Sequence, residues 1–157
     1  MKFTKMQGLG NDYVYINCFE TTIKDPAKLA AAISDRHFGV GSDGLILICP
    51  SEIADFKMVM YNADGSLSEM CGNGIRCVGK FVRDKGLTDQ DEISVETGAG
   101  IKHLKFLINN GVVSLVTVDM GEPILEAADI PTAFDSGKVI SCPITVDNTI
   151  YQTTCVS

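Results

Sequence analysis

The sequence predicts an α+β domain, with two helices set among many short, antiparallel-looking strands. Three observations carry this. Short runs of β-branched, aromatic and aliphatic residues recur between glycine and proline breaks. Only two stretches show a helical period together with helix start and stop residues. One pair of runs is joined by a tight-hairpin signal. Together they describe a sheet with helices packed on it. Residues 12–18 (Asp-Tyr-Val-Tyr-Ile-Asn-Cys) open the series as a strand. Asp25-Pro26 then supplies an N-cap and a first-position proline for a helix running to Arg36, with Leu29 and Ile33 on one face. Gly39, Gly41 and Gly44 make a loop, followed by a short apolar strand Leu45–Cys49 ended by Pro50 and a second strand, Phe56–Tyr61. Asn62-Ala63-Asp64-Gly65 has turn composition.

The second helix is expected from about Gly72 to Lys85, because Cys71, Ile75, Val78 and Val82 fall at spacings of four, three and four and form one apolar stripe. Lys80, Arg83 and Lys85 lie late in it, where cations suit the helix dipole, and Gly86 is a natural stop. Strands follow at 92–97, 101–108 and 112–119, the last two joined by Asn109-Asn110-Gly111. After Pro123 the character changes: Pro131, Pro143 and short strand-like pieces such as Ile144-Thr145-Val146-Asp147, with no apolar helix. The chain therefore divides into a domain over residues 1–119 and a remainder over 120–157.

Chemistry concentrates at Glu69-Met70-Cys71-Gly72-Asn73-Gly74-Ile75-Arg76-Cys77. A thiol stands where a glycine-rich turn opens a helix, and unpaired N–H groups with partial positive charge favour its thiolate. Gly72 and Gly74 let a ligand approach the backbone, and the same N–H groups can hold a carboxylate. A lone cysteine here reads as core packing; the flanking glycines and start of a helix turn the reading to proton chemistry beside a carboxylate. Asn11, after Gly8 and Gly10, and Asn62 each read equally as turn residues.

Bulk properties narrow the partners. A net charge of −7 and only three arginines, Arg36, Arg76 and Arg83, argue against nucleic acid. No apolar run approaches the roughly 20 residues of a membrane span. The start, Met1-Lys2-Phe3-Thr4-Lys5, lacks the apolar stretch of a secretion signal, so a cytoplasmic location is expected. None of the six cysteines forms a C-x-x-C pair, so the usual zinc spacings are missing and no metal site is expected; Cys18, Cys49, Cys77 and Cys142 read as packing residues. His37 and His103 have no neighbouring ligand in sequence.

Cys71-Gly72-Asn73-Gly74, preceded by Tyr61-Asn62-Ala63-Asp64-Gly65-Ser66, resembles the first half-site of the diaminopimelate epimerases. Lys5-Met6-Gln7-Gly8-Leu9-Gly10-Asn11-Asp12, Arg36-His37-Phe38-Gly39-Val40-Gly41-Ser42-Asp43-Gly44-Leu45 and Met120-Gly121-Glu122-Pro123 resemble further segments of that family, in family order. The resemblance implies a curved, mostly antiparallel sheet wrapped round a central helix opening at Cys71. It implies cofactor-independent interconversion of LL- and meso-diaminopimelate, with Cys71 as one of two acid/base thiols. Asn11 and Asn62 would then be substrate-binding amides, and the backbone of Gly72 and Asn73 would hold the carboxylate at the reacting carbon. Asp43-Gly44 departs from members that place an amide side chain after the aspartate, so neither is assigned a substrate contact. Stereoinversion needs groups on opposite faces of one carbon. No second Cys-Gly-x-Gly occurs, which implies that 120–157 is a linker and the incomplete start of a second, pseudo-symmetric domain. The chain by itself is then expected to be inactive, and to expose apolar surface that favours a homodimer. Two other readings stay open: a related cysteine racemase acting on a smaller amino acid such as proline, and a non-catalytic amino-acid-binding or dimerising fragment.

Overall fold

The computed structural model describes residues 1–134 and 137–157. Its backbone divides into two compact units, Met1–Met120 and Gly121–Ser157. The first unit runs β1 (Thr4–Gly8), β2 (Asn11–Asn17), α1 (Pro26–Ser34), β3 (Gly44–Cys49), β4 (Phe56–Asn62), β5 (Leu67–Ser68), α2 (Gly72–Asp84), β6 (Glu92–Thr97), β7 (Gly100–Asn109) and β8 (Val112–Val118). The strands form one sheet in the order β1-β2-β3-β4-β6-β7-β8, with β5 on β4.

Five strand pairs are antiparallel and two, β2–β3 and β4–β6, are parallel. Parallel neighbours cannot be joined by a tight turn and need a crossover connection. The two helices are those crossovers: α1 lies between β2 and β3, and α2 between β4 and β6.

Both helices are bounded by local chemistry. The Asp25 carboxylate accepts from Lys28 N–H at 3.1 Å and caps α1. At the other end of α2, Gly86 takes φ +71°, Gly86 N–H donates to Arg83 O, and Leu87 N–H donates to Val82 O at 2.8 Å. These are the paired bonds of a Schellman stop. The β7–β8 hairpin turns on Asn110 (φ 53°) and Gly111 (φ 78°), the left-handed pair of a two-residue loop whose twist matches the strands.

Strand periodicity sorts side chains to two faces. Tyr13, Tyr15, Ile46, Ile48, Met58, Met60, Val95 and Leu104 bury one face against Ile75, Val78, Phe81 and Val82 of α2. Val14, Ile16, Leu45 and Leu47 bury the other against Ala30 and Ile33 of α1. Because β2 and β3 are covered on both sides, they read as nearly continuous apolar runs. Both edge strands, β1 and β8, contact α2. A sheet whose opposite edges touch one helix has to curl round it, so α2 is the axis of this unit. Cys77 is buried in that core, whereas Cys18 and Cys49 are half-buried neighbours whose burial pushes the Cys49 thiol up to about 12.

β1 departs from the sequence expectation, which starts the first strand at residue 12. Its turn residue Leu9 sits at φ 55°, a conformation that leucine does not advertise, so the hairpin carries no turn signal beyond Gly10. The second unit holds a 3-10 turn (Ala127–Asp129) and a hairpin of β9 (Cys142–Val146) and β10 (Thr149–Thr153), turned by Asp147 and Asn148 at φ 47° and 61°. Ala127, Ile130 and Val139 are buried.

Candidate active site

Cys71 is the N-cap of α2, extended at φ −138° and ψ 117°. Its sulfur accepts from Gly74 N–H at 3.3 Å, the capping bond that serine or aspartate makes elsewhere. The first intrahelical bond, Ile75 N–H to Cys71 O at 2.8 Å, lies beyond the amides of Gly72 and Asn73. Those two amides belong to the turn whose N–H groups helix geometry leaves for an outside acceptor. Gly74 lets α2 sit this close to the sheet: a Cβ there would fall 2.7 Å from Ile46 Cδ1.

The sulfur also donates to Asn11 Oδ1 at 3.3 Å. The amide orientation follows from its other bond. Asn11 Nδ2 donates to Asp43 Oδ2 at 3.0 Å, and Asp12 N–H donates to the same oxygen at 2.9 Å. An ionised carboxylate only accepts, so the NH2 end faces Asp43 and the oxygen faces the thiol. Asp43 is tied in turn to Arg36 at 2.9 Å, and Arg36 to Asp12 at 2.8 Å, with Lys5 3.0 Å from Asp12. Hydrogen bonding to the Arg36 guanidinium is the main reason the Asp12 carboxyl lies far below the ordinary carboxylate range.

Two tyrosines of β2 share the face of Asn11. Tyr15 is fully buried and its hydroxyl donates to Gly74 O at 3.3 Å, pinning the first turn of α2; burial drives its phenol well above the usual range. Tyr13 is 5% exposed, and burial, with the nearby Cys71 second, pushes its phenol up to about 12. Further along α2, Arg76 donates to Gly72 O at 3.1 Å and to Asn73 Oδ1. That occupies the Asn73 side chain.

Of the residues singled out from sequence, Cys71, Asn11, Gly72 and Asn73 are thus brought together. Asn62 ends β4 and its amide donates to Ser66 Oγ at 2.9 Å. It stands in one cross-strand row with Gly44 and Tyr13, on the α2 face by parity with Met60 and Met58. Gly44 carries no side chain between them. Sequence reasoning missed Tyr13, Asp43, Arg36 and Arg76. The period-two series Asn11, Tyr13, Tyr15 was the signal available for Tyr13; the carboxylate–guanidinium cluster joins segments far apart in the chain and leaves no local pattern. Among the described residues, no group of three or more His, Cys, Asp or Glu side chains is arranged to hold a metal ion. Among the described residues, no helix is long and apolar enough to cross a membrane.

A family model described as diaminopimelate epimerase matches residues 3–126. The chain is 57% identical over 157 residues to a diaminopimelate epimerase of Acetivibrio thermocellus, covering 100% of this chain and 56% of that protein. It is 58% identical over its whole length to a diaminopimelate epimerase of Methanococcus maripaludis, of which it covers 57%. It therefore spans a little over half the length of these relatives. Among solved structures, a hydroxyproline epimerase from Agrobacterium vitis superposes with a TM-score of 0.61 at 15% identity, over 92% of this chain and 45% of that one. A Bacillus anthracis protein of the PhzF family gives 0.60 at 20% identity, over 78% and 40%. At such identities these structures speak for the shared curled sheet alone.

Proposed function

Because the chain belongs to the diaminopimelate epimerase family, an isomerase family of lysine biosynthesis, we propose that its first unit supplies one half-site for converting LL- to meso-diaminopimelate without a cofactor. The observation that carries the proposal is the Cys71 sulfur, held at 3.3 Å by both Gly74 N–H and Asn11 Oδ1 at the mouth of α2. As a thiolate it takes the proton from one face of the α-carbon; as a thiol it returns one to that face. The amides of Gly72 and Asn73 hold the α-carboxylate, whose negative charge gathers as the proton leaves. Asn11 and Asn62 bind polar groups of the substrate, and Asn11 also aims the sulfur. Stereoinversion needs a second acid/base group on the opposite face; no second Cys-Gly-x-Gly occurs in these 157 residues, which span 56% of the Acetivibrio thermocellus relative, and on this reading the 157-residue chain is not expected to turn over by itself.

The test is deuterium uptake at the α-carbon in D2O, using this chain completed by the C-terminal part of a relative. Each stereoisomer is followed separately. Cys71→Ala is expected to slow uptake at least about a thousandfold. Unchanged uptake from both isomers sinks the assignment. Conversion by the 157-residue chain alone, abolished by Cys71→Ala, overturns the half-site reading while leaving Cys71 in place.

A further inference from the structure

We propose that Asp43 is a positioning residue for Cys71: its carboxylate takes the Asn11 NH2 group and so fixes the amide with its oxygen on the sulfur, where it accepts from the thiol and has no donor for the thiolate. The inference deepens the acid/base role proposed for Cys71 and rests on it.

Asp43 is seated before it meets Asn11. The residue ahead of it, Ser42, is buried; its N–H donates to Ser34 O at 3.1 Å and its hydroxyl donates to Gly44 O at 2.9 Å, which ties the loop to the end of α1 and the start of β3. Asp43 N–H donates to Asp12 O at 2.7 Å, and Asp12 N–H returns a bond to Asp43 Oδ2 at 2.9 Å. This reciprocal pair sets the carboxylate beside Asn11, whose Nδ2 donates to the same Oδ2 at 3.0 Å. Arg36 takes the other oxygen at 2.9 Å and is itself held by Asp12 at 2.8 Å. Every bond to the Asp43 carboxylate is donated to it, as an acceptor-only group requires.

The consequence falls on the sulfur. An asparagine amide turned over exchanges oxygen for nitrogen with almost no change of shape, so hydrogen bonds alone choose between the two arrangements. Turned over, Asn11 would set its oxygen against Asp43 Oδ2, two acceptors with no hydrogen between them. Asp43 excludes that arrangement. Asn11 Oδ1 therefore stays 3.3 Å from the sulfur and receives the thiol's hydrogen, while Gly74 N–H donates to the sulfur from the other side at 3.3 Å. Loss of the proton removes the first bond and keeps the second. The clamped amide thus supports Cys71 while it carries the proton and leaves the thiolate to the backbone. Without Asp43 the amide would follow the sulfur, oxygen toward the thiol and NH2 toward the thiolate. The ionisable groups around this pair are Tyr13 and Tyr15 from β2, Cys77 and Arg76 from α2, and Asp12, Arg36 and Lys5 around Asp43.

The test needs no amino-acid substrate, so it stands apart from the epimerase reading. The 157-residue chain is alkylated with limiting iodoacetamide across pH 6–10, and the label is mapped by peptide; trypsin cuts after Arg76 and separates Cys71 from Cys77. Asp43→Ala is expected to move the Cys71 labelling profile to lower pH and to speed labelling about fivefold at neutral pH, because a freed amide donates to the charged sulfur. Removing a negative charge would act in the same direction, so the same change is made in an Asn11→Ala background. There the movement is expected to vanish for the most part, since the amide that carried it is gone. Equal movement in both backgrounds assigns the effect to the charge alone and overturns the proposal; so does an unmoved profile for Asp43→Ala in the parent. Asp43→Ser, polar but too short to reach Asn11, gives the same comparison if the alanine variant does not fold. If neither folds, neutron diffraction from the parent reads the amide directly: deuterons on the Asn11 atom facing Asp43 are expected, and deuterons on the atom facing the sulfur overturn the proposal, whether or not Cys71 serves an epimerase.

Discussion

The two compact units of this chain are both β-rich, yet they hold together in different ways. Met1–Met120 closes a sheet round α2, so that Tyr15, Ile46, Ile75, Val78, Val82 and Val95 are all fully buried. Gly121–Ser157 has a two-stranded hairpin, whose Ile144, Val146, Ile150 and Tyr151 are 41–66% exposed, and a small core around Ala127, Ile130 and Val139. Its ends are tied by backbone bonds between Ile124 and Ser157, not by an apolar layer. Strand pairing alone does not make a stable unit; a sheet needs something apolar to cover one face.

The largest effect expected from this contrast is on separation. Residues 1–120 expressed alone are expected to unfold cooperatively, whereas residues 121–157 alone are expected to give the narrow amide spectrum of an unfolded peptide, since a fragment that small rarely buries enough surface. A dispersed spectrum from 121–157 would break the comparison. Single truncations come next. Leu104→Ala, from a side chain 1% exposed, is expected to cost about 2–5 kcal/mol in denaturant unfolding, while Ile150→Ala, from one 66% exposed, stays within about 0.5 kcal/mol. Gly79→Ala sharpens the point. Alanine favours a helix by about 1 kcal/mol, but a Cβ here would lie 2.8 Å from Leu104 and 2.9 Å from Phe106. Net destabilisation of about 1–2 kcal/mol is expected from the overpacking, and a stabilised Gly79→Ala would show that the sheet has room to yield.

The smallest effect is on acid sensitivity. The Asp12 carboxyl is held low chiefly by its bond to Arg36, so its contribution to stability is fully present above the unfolded carboxylate range, about pH 3.9. It is lost progressively as pH falls below that range toward the folded value. Melting temperatures measured from pH 7 to pH 3 are expected to fall less steeply in Arg36→Met than in the parent. Parallel curves would remove this cluster from the account.

What the sequence disclosed follows the same line between local and distant. α2 was legible from end to end, because its stripe, its cap at Cys71 and its stop at Gly86 are all local. The β7–β8 turn was legible for the same reason. The two parallel pairs were not, because register between β2 and β3 or β4 and β6 is settled by packing on opposite faces; the two helices were the available hint. At the candidate site, Cys71, Gly72, Asn73 and Asn11 sit in recognisable segments. Tyr13 lies inside a strand and carries no turn or cap signal of its own, and the Asp43–Arg36–Asp12 cluster exists only after two segments converge.

The curl of the sheet also bears on how this chain is made. α2 packs on β1 and β2, which precede it, and on β7 and β8, which follow it. During synthesis the helix emerges from the ribosome before Val112–Val118 exists. Until that last strand arrives, the apolar stripe below Cys71 lacks part of its cover. We expect the sulfur of a stalled nascent chain ending before Val112 to behave as an ordinary cysteine toward a pulse of alkylating reagent, and to acquire its own character only once residues beyond Val118 are free to fold. On the role proposed for Cys71, the helix that carries it is thus fully covered only when β8 is in place.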